Sequence, residues 1–202
     1  MKLLKKLEIS IILGLIFSFL LSISSFSADC NNIRNKILRM HVIANSDSIE
    51  DQNLKLKVRD AVLSKGKELF DGSITADEAE DKIKPHINEL RDVALTAVRD
   101  EGYDYDIEIR VQEDFFKTRV YDNSVTLPAG YYTAVKVIIG EGKGKNWWCV
   151  MFPPMCLPAA NAECEIDDVL SSEETNIVSN GNKYKLKFKI IEIYEEYVKK
   201  YK

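Results

Sequence analysis

Tyr103-Asp104-Tyr105-Asp106-Ile107-Glu108-Ile109-Arg110-Val111-Gln112 alternates without a break between an apolar or aromatic side chain and a polar one. Successive side chains of an extended chain point to opposite faces, so a period of two marks a strand with one buried and one wet face. Gly102 closes the element before it, and Phe115 to Tyr121 reads as its hairpin partner. Leu127-Pro128-Ala129-Gly130 then supplies a turn and Tyr131 to Ile139 a β-rich run. Gly140 to Gly144 turns the chain once more into Asn146 to Phe152, a further strand. On the N-terminal side, Lys36 to Ala44 is a short apolar-rich run. It ends at Asn45-Ser46-Asp47-Ser48, whose small polar side chains cap a helix start.

Two helices are expected between these strands. From Glu50 to Phe70, Leu54, Val58, Ala61, Val62 and Leu69 fall on one stripe at 100° per residue, and Leu56, Leu63 and Phe70 on a nearly opposite one. Such a helix packs on two sides, between a sheet and another helix. The second begins at the capping box Thr75-x-x-Glu78. Ala76, Ala79, Ile83, Ile87, Leu90, Ala94 and Val98 keep one phase through Pro85, which predicts a kink and not a break. The fold class that follows is α+β: a mainly antiparallel sheet with two or more helices packed on one face, preceded by an N-terminal signal segment.

That segment is residues 1–27. Lys2, Lys5 and Lys6 form a basic head, Ile9 to Phe26 an apolar run, and Ser25 and Ser27 the small residues before a cut, so the reading favours cleavage over a retained anchor and places the segment outside the fold. The lysines stay in the cytoplasm, so the remainder is exported in either case. Asp29 stands before Cys30 where a lipid-acceptor motif needs a small residue. About 175 residues remain, enough for one domain. It is divided into an α+β domain over 28–156, a loose acidic loop over 157–182 and an amphipathic segment over 183–202, compatible with a closing helix, although the alternation from Tyr184 to Ile190 leaves a strand start open. Removing Lys2, Lys5, Lys6 and Glu8 from 28 basic and 32 acidic residues leaves 25 and 31, a formal net charge of −6. A chain so acidic, with its basic residues dispersed, is a poor ligand for nucleic acid. Any membrane contact is expected through the signal segment or through a partner protein.

Cys30, Cys149, Cys156 and Cys164 allow three pairings in an exported protein. The short Phe-Pro-Pro loop between Cys149 and Cys156 favours that pair, with four free thiols as the other reading. Zinc is disfavoured, since C-x6-C-x7-C lacks the short spacings and nearby histidine of a structural site. No metal and no cofactor is expected.

Three segments resemble the stage II sporulation protein R family. They are His41-Val-Ile-Ala-Asn-Ser-Asp-Ser running into Asp51-Gln-Asn-Leu-Lys-Leu-Lys-Val-Arg-Asp-Ala-Val; Leu127-Pro-Ala-Gly with Tyr131-Tyr132; and Ile139-Gly-Glu-Gly-Lys-Gly-Lys-Asn-Trp-Trp-Cys-Val-Met-Phe-Pro-Pro-Met-Cys. The resemblance implies a non-enzymatic signalling protein, made in the forespore and exported into the space between the forespore and mother-cell membranes. There it would activate a membrane-embedded aspartic protease that matures a mother-cell sigma factor precursor during sporulation.

Two partner-binding candidates stand out. Trp147 and Trp148 are adjacent on a strand, so one is expected in the core and the other outside, where with Asn146 it can dock a partner. Asn45, Ser46 and Asp47 read first as a helix cap and second as a contact surface. Gly140-x-Gly142-x-Gly144 leads into a strand and not a helix, so it is read as a turn and not as a phosphate cradle. The competing function is an exported envelope hydrolase using Cys149 or a serine. His41 with Cys149, or His41 with Ser46 and Asp47, has the residue types but no nucleophile-elbow motif.

Overall fold

The computed structural model describes residues 2–70, 75–121, 124–155 and 166–201. A long helix, α1 (Lys2–Asn35), leads into strand β1 (Leu38–Ile43) and then α2 (Ile49–Phe70). The Pro85 kink is present as a 3-10 turn, Lys84–His86, between α3 (Ala76–Ile83) and α4 (Ile87–Asp100). Strands β2 (Ile107–Phe116), β3 (Arg119–Tyr121), β4 (Val125–Leu127), β5 (Gly130–Ile139) and β6 (Asn146–Phe152) follow. The chain then finishes with α5 (Ile166–Val169), α6 (Ser172–Ser179) and α7 (Gly181–Tyr201).

The main sheet has the order β2-β5-β1-β6. β2 with β5 and β1 with β6 are antiparallel, whereas β1 and β5 are parallel, so β1 is an interior strand. The class is the α+β one read from the alternation, with one difference in pairing. Phe115 and Phe116 prolong β2 along β5 and are not its hairpin partner. Arg119–Tyr121 pairs instead with Val125–Leu127 in a separate two-stranded sheet. The reason is that β5, ten residues long, matches β2 residue for residue, from Ile107 with Ile139 to Phe116 with Gly130.

Both faces of the sheet are covered. On the first, Leu38, Met40 and Val42 of β1, Val135, Val137 and Ile139 of β5, and Cys149 and Met151 of β6 meet the buried stripe of α2 to α4. Leu54, Val58, Val62, Leu63 and Phe70 are all buried, which is the two-sided packing expected of α2. On the second face, Ala134, Tyr132, Phe116 and Val150 meet α1, α6 and α7 through Cys30, Ile33, Ile177, Val178, Phe188 and Ile191. This second layer corrects the expected loop over 157–182: residues 166–179 are largely helical. Ser171 caps α6 in a reciprocal capping box with Glu174, whose carboxylate also accepts from Lys36 Nζ at 2.6 Å. Residues 156–165, and with them Cys156 and Cys164, lie outside the described residues. Cys30 is a free, fully buried thiol that burial pushes up to about 12.

Nor does the core begin at residue 28. α1 runs unbroken through Ser27, and Phe26, 2% exposed, stacks on Tyr184 at 5.6 Å and meets Phe188 edge-on at 5.1 Å. A residue before the expected cut is thus part of the fold, because α7 needs an apolar partner that the sheet alone does not give. Arg34, likewise buried, bonds Ala129 O at 2.7 Å and pairs with Glu195 at 2.9 Å.

Phe26→Ala in the full chain is expected to lower stability by about 3 to 5 kcal/mol, the usual cost of emptying a buried aromatic site. Denaturant unfolding measures it, and a loss below about 1 kcal/mol would place Phe26 outside the core.

Candidate functional site

The first sequence candidate, Asn45-Ser46-Asp47, is a clasp. Asp51 at the start of α2 is buried, and its Oδ2 accepts from Asn45 Nδ2 at 2.8 Å and Ser46 Oγ at 2.6 Å. The backbone amide of Glu141 donates to Asn45 Oδ1 at 2.9 Å, and that of Lys145 to Asp47 Oδ1 at 2.7 Å. Gly144 N bonds Ala44 O, and a Cβ on Gly144 would stand 2.1 Å from Ser46 O, so only glycine permits this approach. Gly140 and Gly142 take left-handed backbone angles, φ +55° and +61°. The glycine run is a turn held by the helix-start residues, and these side chains are spent on structure. Burial alone would raise Asp51, but the hydrogen bonds from Ser46, Asn45 and Tyr105 outweigh it and hold the carboxyl below its ordinary value.

The clasp delivers the second candidate, Asn146-Trp147-Trp148, onto the edge strand β6. Exposure along β6 is confined to its first residues: Asn146 and Trp147 are exposed, Trp148 is half-buried, and Cys149 to Phe152 are buried. Trp147 shares the face of Cys149 and Met151, is 37% exposed, and carries Arg59 of α2 over its ring at 4.6 Å. Trp148, on the second face, stacks on its cross-strand neighbour His41 at 3.7 Å and meets Phe116 edge-on at 4.8 Å. Neither ring is fully buried, so the expected division into one core and one outer tryptophan becomes one exposed and one partly covered.

Trp148 also walls a groove of about 360 Å³ between the sheet and α7, with Phe115, Phe116, Lys117 and Arg119 on one side and Glu196 and Lys199 on the other. Beneath Trp148 is a polar cluster that sequence reasoning missed. His41 is 4% exposed; its Nδ1 lies 2.6 Å from Asp114 Oδ2 and its Nε2 lies 2.8 Å from Asn146 Oδ1. Lys136 Nζ stands 3.5 Å from the same Asp114 oxygen. Burial pushes Asp114 up, but the hydrogen bond and charge of His41, with the charge of Lys136, bring it below its ordinary value. No spacing in the sequence announces a pair 73 positions apart.

The geometry bears on the hydrolase candidates. Cys149 pairs with Met40 on the first face, and His41 points to the second, so the sheet separates the cysteine sulfur from the imidazole. Ser46 Oγ donates to Asp51, and both ring nitrogens of His41 already have oxygen partners. The described residues contain no group of three His, Cys, Asp or Glu side chains suited to a metal ion.

A family model described as stage II sporulation protein R matches residues 34–162, which carry the clasp, the His41 cluster and β6. Over 132 residues the chain is 36% identical to the stage II sporulation protein R of Bacillus subtilis (strain 168), covering 65% of this chain and 58% of that protein. The match therefore spans less than two thirds of the relative's length. No solved structure matches.

Asp51 and Asp114 both titrate below their unfolded-state values, so each contributes stability that is complete above roughly pH 4 and is lost as pH falls through the folded-state value. Asp51→Asn should therefore cost about 1 to 3 kcal/mol at pH 7 and progressively less below pH 4. Unfolding free energies across that range check it; a cost that does not change with pH would contradict the clasp.

Proposed function

The chain belongs to the stage II sporulation protein R family, and we propose that it is the exported forespore signal that activates a membrane-embedded aspartic protease, leading to maturation of the mother-cell sigma factor precursor. Membership of the family supports the role in sporulation. The protein acts by binding and not by turnover, in the space between the forespore and mother-cell membranes, with the first residues of β6 as the element that meets the protease.

The observation that carries the reading is the exposure of Trp147 on an edge strand held rigidly from behind. Large aromatics on a preorganised backbone are the usual anchors of protein interfaces, because their burial releases much apolar surface at little conformational cost. The clasp does the preorganising: Lys145, directly before the segment, is fixed by Asp47, and its carbonyl accepts from Lys55 Nζ at 2.9 Å. Arg59 beside Trp147 adds a donor for a polar rim. The envelope-hydrolase alternative gains no support, because its candidate nucleophiles and His41 do not converge.

Trp147→Ala should melt close to the parent protein yet lose about 2 kcal/mol or more of binding, seen as a collapse of sigma-precursor processing. Trp148→Ala should instead lower stability by about 2 kcal/mol, since its ring is half-buried on His41 and Phe116. If both variants melt normally and still trigger processing, β6 is not the docking element.

A further inference from the structure

We propose that α1 is a retained membrane anchor, and that the first turns of α7, with Lys183, Lys185, Leu186 and Lys187, seat the domain on an anionic lipid bilayer. The proposal rests on α1 and α7 alone and is independent of the signalling role. Its starting point is the continuity of one helix with two environments. From Leu4 to Leu21 the apolar side chains of α1 are exposed, most of them by more than half, and Lys5 and Lys6 mark the cytoplasmic end. From Phe26 to Ile33 the same helix is buried in the second core through Phe26, Cys30 and Ile33. No loop or break separates the parts, so the membrane segment is an extension of a core helix and not an appendage.

Length then places the domain. Eighteen residues, Leu4 to Leu21, at 1.5 Å each span roughly 27 Å, close to the hydrocarbon thickness of about 30 Å, provided Lys5, Lys6 and Glu8 near its start extend their charged ends to the inner headgroups. Nothing is spare, so Ser22 must lie at the outer interface. Ser22 Oγ accepts from Lys187 Nζ at 2.9 Å, and Lys187 also lies over the Phe26 ring at 5.3 Å. The N-terminal turns of α7 are thereby brought to headgroup level. There the exposed Lys183 and Lys185 meet lipid phosphates and the exposed Leu186 reaches the acyl boundary. Ile193, two turns further on the same face of α7, stands clear of the bilayer.

Two measurements on the full chain test this. The chain recovered from an exporting cell's membranes after alkaline carbonate washing should have the intact mass that begins at Met1; a chain beginning near Ala28, or one released by carbonate, overturns the anchor. In phosphatidylglycerol and phosphatidylcholine vesicles carrying a headgroup quencher, a fluorophore on Leu186→Cys should be quenched several-fold more than one on Ile193→Cys. Equal quenching at the two positions overturns the seating.

Discussion

Leu38–Ile43 is buried on both of its sides, and a doubly buried central strand obliges the chain to supply a helical layer above the sheet and another below it. The first layer is local, the α2 to α4 segment that directly follows β1. The second can come only from what remains, the two ends of the chain. α1 and α7 therefore meet across more than 150 residues, joined by the Phe26 stack and the Arg34–Glu195 pair at 2.9 Å, with |i−j| of 161. Such contacts tie the fold's completion to its termini.

The same constraint creates the polar site. β1 presents Leu38, Met40 and Val42 to the first core, which leaves Arg39 and His41 facing the second. Buried polar groups persist only with partners. Arg39 lies over the Phe116 ring at 4.2 Å and the Tyr132 ring at 4.8 Å and donates to Cys149 O and the Tyr121 hydroxyl, although its Nη1 has no partner among the described residues. His41 lies nearer the open end of the face, where Glu108 and Arg110 are exposed, and Asp114, Asn146 and Trp148 close over it. Trp148 is thus held by the strand it covers, and Trp147, on the opposite face of the edge strand, is left outside.

What could be read from the residues follows the range of the forces involved. The Tyr103–Gln112 alternation, the two stripes of α2, the Pro85 kink and the capping role of Asn45 to Ser48 are local and were legible. The partner of β2 was not, because Phe115 and Phe116 continue the alternation only if β5 is long enough to meet them. α6 carried a readable signal, Ser171-x-x-Glu174, but its few apolar residues, Ile177 and Val178, gain meaning only against the second face of the sheet. Phe26 looked like the tail of a targeting segment, since an apolar run has the same composition whether it faces lipid or a neighbouring helix. The His41–Asp114 contact depends on register between strands and leaves no trace in spacing.

The central claim, that Asn146-Trp147-Trp148 is the face that meets the protease, is tested most directly by photocrosslinking in membranes containing that enzyme. A photoreactive amino acid at position 147 should form an adduct with the protease, whereas the same group at Arg99, exposed near the end of α4, should not. Adducts from Arg99 in equal yield, or none from position 147 while the protease is still activated, would contradict the account.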